Sequence, residues 1–279
     1  MTMTVAETVR LAKLRLEPVA GEESLQQAKL LVAAVIGAEA DALMVHTWMD
    51  VTEEQLVLLG ELLERRLKGE PLQYILGEWE FMGLPFYVDE RALIPRQDTE
   101  LLCEKALEII RTKHYKRVLD LCTGSGCLAV SIAKLAEMDL VLAASDVSAD
   151  ALALAKENAA LNGVDASIQW FESDLFERIP GTFDVIVSNP PYLTQEDMDH
   201  LQTEVAFEPR LALFGGADGL DFYRRIAEQY KAHLAPGGTL LLEIGSAQAE
   251  GVSALFERKV SVFYDLCGNP RLILAEQSE

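Results

Sequence analysis

At Val118–Cys127 the chain reads VLDLCTGSGC, an apolar strand that runs into a glycine turn and then into a helix predicted over Leu128–Leu135. Glycines in such a turn let the backbone approach a ligand closely, and the first turn of the following helix presents free N–H groups. Beyond Tyr115, apolar strands alternate with helical segments, which is typical of a doubly wound sheet. We therefore expect a ligand site at the end of this strand.

The rest of the sheet can be read from the same alternation. Strands are predicted near 117–121, 140–145, 167–171, 183–188, 239–244, 260–265 and 272–275. The last two follow each other closely, so one of them should run antiparallel at the end of the sheet. The predicted fold class is α/β, a doubly wound, seven-stranded mixed sheet.

The 279 residues are divided by pattern into three parts. Residues 1–71 are predicted to form a small helical recognition domain, in which Thr52 and Gln55 match a capping box. Residues 72–92 are predicted to form a linking β-hairpin around a Met82-Gly83 turn. Residues 93–279 are predicted to form the sheet domain, and its first helix is expected to be capped by Asp98 or Thr99.

Composition limits the function classes. The formal net charge of −21 disfavours direct binding of nucleic acid, which normally requires clustered Lys and Arg. The four cysteines form no Cys-x-x-Cys pair and have no histidine near them in sequence, so we expect no metal site. No apolar run approaches the ~20 residues that span a bilayer. We expect a cytoplasmic monomer without a membrane partner.

The glycine turn leaves two cofactor classes open. Gly124, Gly126 and Ala129 fit a dinucleotide fingerprint, and Asp146 lies about 20 residues further on, where a ribose-binding acid is expected. An NAD enzyme is therefore a serious alternative. Against it, the carboxylate of Asp120 just before the turn would repel a pyrophosphate.

A second motif lies at Val185–Tyr192, which reads VIVSNPPY. A buried strand stops at Asn189, because Pro190 and Pro191 cannot continue it. The side-chain oxygen of Asn189 and the carbonyl of Pro190 would then form two fixed acceptors for one NH2 group, with Tyr192 as a flat lid. In open α/β sheets, ligands bind at this end of the strands.

The motif Asn-Pro-Pro-Tyr resembles the signature of S-adenosylmethionine-dependent methyltransferases that modify planar nitrogens, either adenine N6 or the glutamine side-chain amide. The resemblance to the HemK-type (PrmC) glutamine methyltransferases of peptide chain release factors covers nearly the whole chain. Its motifs are QYILG at 73–77, IPRQDTELL at 94–102, EP at 208–209, GGADGL at 215–220 and LLEIG at 241–245.

This resemblance implies a class I, Rossmann-like methyltransferase fold and N5-methylation of the glutamine in the Gly-Gly-Gln loop of bacterial-type release factors. The helical domain would dock the factor. The implied cofactor is S-adenosyl-L-methionine, which leaves as S-adenosyl-L-homocysteine. Many relatives carry glycine where Cys122 stands, and some carry an aromatic residue at Leu175.

The expected site residues follow from both lines of reasoning. Catalysis is assigned to Asn189, Pro190 and Tyr192, and substrate binding to the same residues with Pro191. The cofactor is expected to contact Arg96, Asp120, Cys122, Thr123, Gly124, Ser125, Gly126, Asp146, Val147, Asp174, Leu175 and Asn189. Asp174 would accept a hydrogen bond from the adenine amine, and Leu175 would pack on the ring.

Three further alternatives remain at this point. A sister enzyme could methylate a glutamine of a ribosomal protein. An adenine-N6 DNA methyltransferase would use the same motif on a flipped base, but it should also have a basic face. A non-catalytic binding module would keep the fold without the cofactor.

Overall fold

A computed structural model describes residues 3–257 and 260–277. The chain forms two compact units, the first from the residues up to Gly77 together with Gln202–Phe207, and the second from Glu78–Leu201 and the residues after Phe207. The domain bounds drawn from the sequence, at 71/72 and 92/93, remain predictions. None of the helices in the described ranges combines the length and the apolar character needed to cross a bilayer.

The first unit is helical, as its sequence pattern indicates. Its elements are β1 (Met3–Thr4), α1 (Val5–Ala20), α2 (Ser24–Ile36), β2 (Asp50–Val51), α3 (Glu53–Leu67) and α4 (Leu72–Leu76). The capping box of Thr52 and Gln55 is present at the start of α3. Leu31, Leu59 and Leu63 are among the apolar side chains of its core.

A buried arginine connects Gln202–Phe207 to this unit. Arg66 is 1% exposed, and its Nε donates to Gln27 Oε1 at 2.9 Å. Its guanidinium also pairs with the carboxylate of Glu204. Gly69 lies against Thr203 in the same region, with no room for a Cβ. A charge this deeply buried requires such partners, and they hold the segment in place.

The second unit begins with the expected hairpin, β3 (Glu78–Phe81) and β4 (Leu84–Tyr87). Met82 and Gly83 both take positive φ, at 54° and 73°, as a tight hairpin turn requires. The hairpin contacts the sheet domain through Asn158, whose Oδ1 accepts from the Tyr87 N–H at 2.7 Å.

The sheet confirms the predicted fold class. Its strands are β5 (Arg117–Leu121), β6 (Val141–Asp146), β7 (Ile168–Glu172), β8 (Phe183–Ser188), β9 (Leu234–Glu243), β10 (Ser261–Tyr264) and β11 (Pro270–Glu276). The helices of this unit are α5 (Gln97–Lys113), α6 (Cys127–Leu135), α7 (Ala149–Leu161), α8 (Gln195–Asp199), α9 (Arg210–Leu213), α10 (Asp221–His233) and α11 (Ala249–Ser253).

The strand order is β10-β11-β9-β8-β5-β6-β7, with β5 to β9 parallel. One strand, β11, runs antiparallel to both of its neighbours. This confirms the expectation that one of the last two strands runs antiparallel at the end of the sheet, and it places β11 inside the edge strand β10. The physical reason is burial: Leu272 and Ile273 of β11 are fully buried, whereas β10 is partly or fully exposed along its length and suits the edge.

Candidate active site

A cavity of about 950 Å³, including the open solvent at its mouth, lies at the carboxyl ends of the parallel strands. Its walls come from the turns after β5 to β8, from Arg91–Arg96, and from residues after Phe207. The position agrees with the rule that ligands bind at this edge of an open sheet.

Most of the residues predicted from sequence line this cavity. These are Arg96, Cys122, Thr123, Gly124, Ser125, Asp146, Val147, Asp174, Leu175, Asn189 and Pro191. The structure places Asp120, Gly126, Pro190 and Tyr192 next to it, outside the lining.

The glycine turn is fixed by hydrogen bonds to Asp146. The Gly124 N–H donates to Asp146 Oδ2 and the Ser148 N–H to Asp146 Oδ1, both at 2.9 Å. Burial raises the pKa of Asp146, although these donors oppose the shift. Each carboxylate oxygen keeps a further acceptor position toward a ligand hydroxyl.

The two glycines of the turn have different surroundings. Gly124 has a φ of +54°, and a Cβ there would meet only Ala92 Cβ at 4.0 Å. Gly126 has a φ of +80°, and a Cβ would lie 2.9 Å from Ala155 Cβ and 3.1 Å from Ala155 Cα. Gly124 therefore leaves space in the cavity, whereas Gly126 lets α6 approach α7 closely.

Asp120 supports the turn from behind. It is fully buried, and its Oδ2 accepts from the Thr123 hydroxyl at 2.5 Å and from the Ala129 N–H at 3.1 Å. Burial raises the pKa of Asp120 to about 7, against the effect of those two donors. No residue in the described ranges bonds to its Oδ1. Direct contact between Asp120 and the cofactor remains a prediction.

Two lining residues, Cys122 and Leu175, have positive φ angles of 62° and 50°. Side chains with a Cβ rarely adopt this conformation, which costs about 1–2 kcal/mol. A glycine at residue 122 would adopt this backbone conformation without strain. Burial raises the pKa of the Cys122 thiol, with a further contribution from Asp146, which keeps the thiol protonated.

Asp174 forms an ion pair with Arg225, which its sequence context did not suggest. Its Oδ1 lies 2.8 Å from Arg225 Nη2, and both side chains are about two-fifths exposed, at 42% and 37%. Arg225 belongs to α10, whose Phe222 also lines the cavity. The ion pair holds one carboxylate oxygen of Asp174 at the rim.

Arg96 is held by Glu208, a residue whose role sequence reasoning missed. Glu208 Oε2 accepts from the Ile94 N–H at 3.0 Å, and Oε1 pairs with the Arg96 guanidinium. The Glu208 side chain is only 2% exposed. A single buried carboxylate thus fixes the cavity wall from Ile94 to Arg96.

Asn189 follows β8 and is anchored from α5. Its Nδ2 donates to Thr99 Oγ1 at 3.1 Å. The expected helix cap at Asp98 or Thr99 was wrong, because α5 begins at Gln97 and its N-cap, Arg96, makes no side-chain bond. No residue in the described ranges donates to Asn189 Oδ1 or to the Pro190 carbonyl, so both predicted acceptors remain available.

Glu243, at the end of the neighbouring strand β9, was also missed. Its residue is 2% exposed, and the side chains of Thr99 and Asn189 lie close enough to its carboxyl to lower its pKa. Burial outweighs the effect of these two neighbours and raises the pKa of Glu243 to about 7. An acidic residue ending the apolar run Leu240–Leu242 is the signal that would have identified it.

The backbone of the Asn-Pro-Pro-Tyr motif is held by the segment around Gly215. A Cβ at Gly215 would lie 2.6 Å from Tyr192 Cα and 2.7 Å from the Pro191 carbonyl oxygen. Gln248 Nε2 donates to the Tyr192 carbonyl at 2.9 Å. Burial raises the pKa of Tyr192 to about 12, so its hydroxyl is neutral.

Comparison with known proteins identifies methyltransferase relatives. Residues 98–208 match the family described as Methyltransferase small domain, and residues 7–77 match the PrmC N-terminal domain. The release factor glutamine methyltransferase of Geobacter sulfurreducens is 44% identical over 85% of this chain and 84% of its own length. That of Cereibacter sphaeroides is 40% identical over 98% of both chains.

The chain belongs to the release factor glutamine methyltransferase family. This membership confirms the resemblance found in the sequence and makes the NAD enzyme alternative wrong. Among solved structures, the 16S rRNA N2 G1207 methyltransferase of T. thermophilus, in complex with AdoMet and guanosine, has a TM-score of 0.51 at 17% identity. That similarity covers 72% of this chain and 49% of the other, and it shows the fold alone.

Proposed function

We propose that this protein transfers a methyl group from S-adenosyl-L-methionine to the side-chain amide nitrogen of the glutamine in the Gly-Gly-Gln loop of bacterial-type release factors. The observation that carries the proposal is the pair of available acceptors, Asn189 Oδ1 and the Pro190 carbonyl, beside a cavity at the carboxyl ends of the parallel strands. Membership of the family supports the choice of substrate.

The residues of the cavity suit this cofactor. Asp146 offers carboxylate oxygens for ribose hydroxyls, and Asp174 offers one for an adenine amine. The open space beside Gly124 leaves room for close approach to the backbone. Acidic side chains also suit a ligand that carries positive charge. When bound, the cofactor supplies an electrophilic methyl group on a sulfonium.

The protein's main task is to aim a weak nucleophile. The nitrogen of a carboxamide shares its lone pair with the carbonyl and reacts poorly. When Asn189 Oδ1 and the Pro190 carbonyl accept its two hydrogens, the nitrogen is fixed in direction and gains electron density. Positioning of this kind can lower a barrier by several kcal/mol, on the order of 7–11 at most. The proton lost on alkylation is acidic enough to pass to water.

An amide at position 189 suits this chemistry better than a carboxylate. A carboxylate would pair with the sulfonium, and burying its charge would add a desolvation cost. The protonated Cys122 thiol is not available as a competing nucleophile. Because the proton lost on alkylation can pass to water, the site needs no strong general base.

Two alternatives define the controls of the test. A ribosomal-protein glutamine would fit the same two acceptors, and so would an adenine N6. The net charge of −21 disfavours the adenine case, because a DNA-binding enzyme needs a basic face.

The test is transfer of labelled methyl from S-adenosyl-L-methionine to a purified full-length release factor, beside a factor whose loop glutamine is replaced. Label that depends on that glutamine would support the proposal. Label that appears only in ribosomal protein or DNA would refute the substrate assignment. Asn189→Ala should bind S-adenosyl-L-homocysteine within a few-fold of wild type and lose most turnover, and unchanged turnover would refute the role of Asn189.

A further inference from the structure

The side chains of Asn189, Thr99 and Glu243 come from three separate elements and lie close together. Strands β8 and β9 are parallel neighbours, with Ser188 opposite Leu242, so that Asn189 and Glu243 follow at adjacent positions. Thr99 of α5 is the third member: its Oγ1 accepts from Asn189 Nδ2 at 3.1 Å, and its side chain lies close enough to Glu243 to lower the pKa of that carboxyl. The proposed methyl transfer assigns no role to Glu243.

The arrangement matters because the two ends of an asparagine amide have nearly the same shape. Only hydrogen-bonding partners decide which end is oxygen and which is nitrogen. An ionised carboxylate accepts hydrogen bonds and cannot donate them. Thr99 Oγ1 accepts from Asn189 Nδ2, and an ionised Glu243 beside it favours this arrangement, because the single hydroxyl hydrogen of Thr99 can then be directed to the carboxylate. The nitrogen is then held on the protein side, and Oδ1 is left for the substrate.

We infer that Glu243, acting partly through Thr99, is a positioning residue that orients Asn189 so that Oδ1 accepts the hydrogen of the substrate amide. The inference rests on the proposed function for its consequence in turnover. The fully enclosed carboxylate, with Oε2 unbonded within the described ranges, costs stability for which packing alone gives no reason.

Burial, more than the neighbouring charges, sets the pH at which Glu243 gains a proton and this orientation is lost. Asp98 raises its pKa, and Arg271 lowers it. The neutral groups that face it are the hydroxyls of Tyr192 and Tyr223 and the thiol of Cys127. With a pKa of about 7, Glu243 gains a proton as the pH falls below neutral, becomes a donor, and no longer dictates which end of the amide faces it.

The first measurement is kcat and KM on the release factor from pH 5.5 to 9, for wild type, Glu243→Gln, Thr99→Val and Thr99→Ser. We expect Glu243→Gln to lower kcat on the order of 100-fold. Its KM and its affinity for S-adenosyl-L-homocysteine should stay within about threefold, because the change leaves shape and volume intact. The fall of kcat on the acid side near pH 7 should be present in wild type and absent in the variant. Thr99→Ser should restore turnover relative to Thr99→Val.

A second measurement follows the Asn189 amide without turnover. In 15N-labelled protein, its side-chain NH2 signal, identified by its loss in Asn189→Ala, should shift with a midpoint near pH 7 in wild type and stay constant in Glu243→Gln. Wild-type kcat in Glu243→Gln across the pH range, or an amide signal with the same titration in both proteins, would overturn the inference. If wild type methylates no glutamine, the proposed function fails, and the NMR titration still decides the orientation claim.

Discussion

Replacing Gly126 with alanine would measure how much stability depends on the close approach of α6 and α7. The added Cβ would lie 2.9 Å from Ala155 Cβ and 3.1 Å from its Cα, well inside ordinary contact distance. Ala155 has no rotamer that could move its Cβ away, so the helices themselves must shift. Overpacking of this kind costs about 1–3 kcal/mol.

The backbone conformation adds a second cost. At a φ of +80°, an alanine is strained by about 1–2 kcal/mol. We therefore expect Gly126→Ala to lose roughly 2–5 kcal/mol of unfolding free energy. Gly124→Ala is the matched control, because its φ is +54° and its Cβ meets only one atom, at 4.0 Å. That variant should lose only the strain, about 1–2 kcal/mol.

Urea unfolding of the two variants, followed by far-UV circular dichroism, gives the comparison. An equal loss in both would refute the packing argument. Calorimetric binding of S-adenosyl-L-homocysteine provides a second contrast, since the alanine at 124 fills space in the cavity. Gly124→Ala should weaken binding by at least about tenfold, on the order of 1.4 kcal/mol. Wild-type affinity would show that the cofactor does not approach this backbone.

Three further predictions concern stability. Folding raises the pKa of Glu243 from 4.5 to about 7, so ionisation of this carboxyl destabilises the fold as the pH rises through that window. The unfolding free energy of Glu243→Gln should therefore exceed that of wild type by roughly 3 kcal/mol at pH 8. In urea unfolding, the difference in unfolding free energy between Glu243→Gln and wild type should disappear at pH 4. Cys122→Gly should stay within about 1 kcal/mol of wild type in thermal unfolding, because relief of strain at φ 62° offsets the added chain entropy. Glu204→Ala should cost about 1–3 kcal/mol in urea unfolding, less than a fully buried pair, because Glu204 is 43% exposed while Arg66 is buried.

Some features of the fold followed from the sequence because they are local. The strand-turn-helix at Val118–Cys127 and the strand that stops at Asn189 are patterns of adjacent residues. The capping box at Thr52 and the turn at Met82 depend on side chains and backbone within four residues. Such patterns also indicated the cavity, because parallel strands bring their carboxyl ends to one edge.

Tertiary structure alone decided which groups support the site. Thr99 and Asn189 are 90 residues apart, and Glu208 braces Ile94 from a separation of 114. The order of β9, β11 and β10 depended on which strand is buried on both sides. The sequence determined that Asn189 would stand at a strand end. Only the packed structure determined that Glu243 and Thr99 lie against it, because burial and hydrogen bonding between distant segments leave no local pattern.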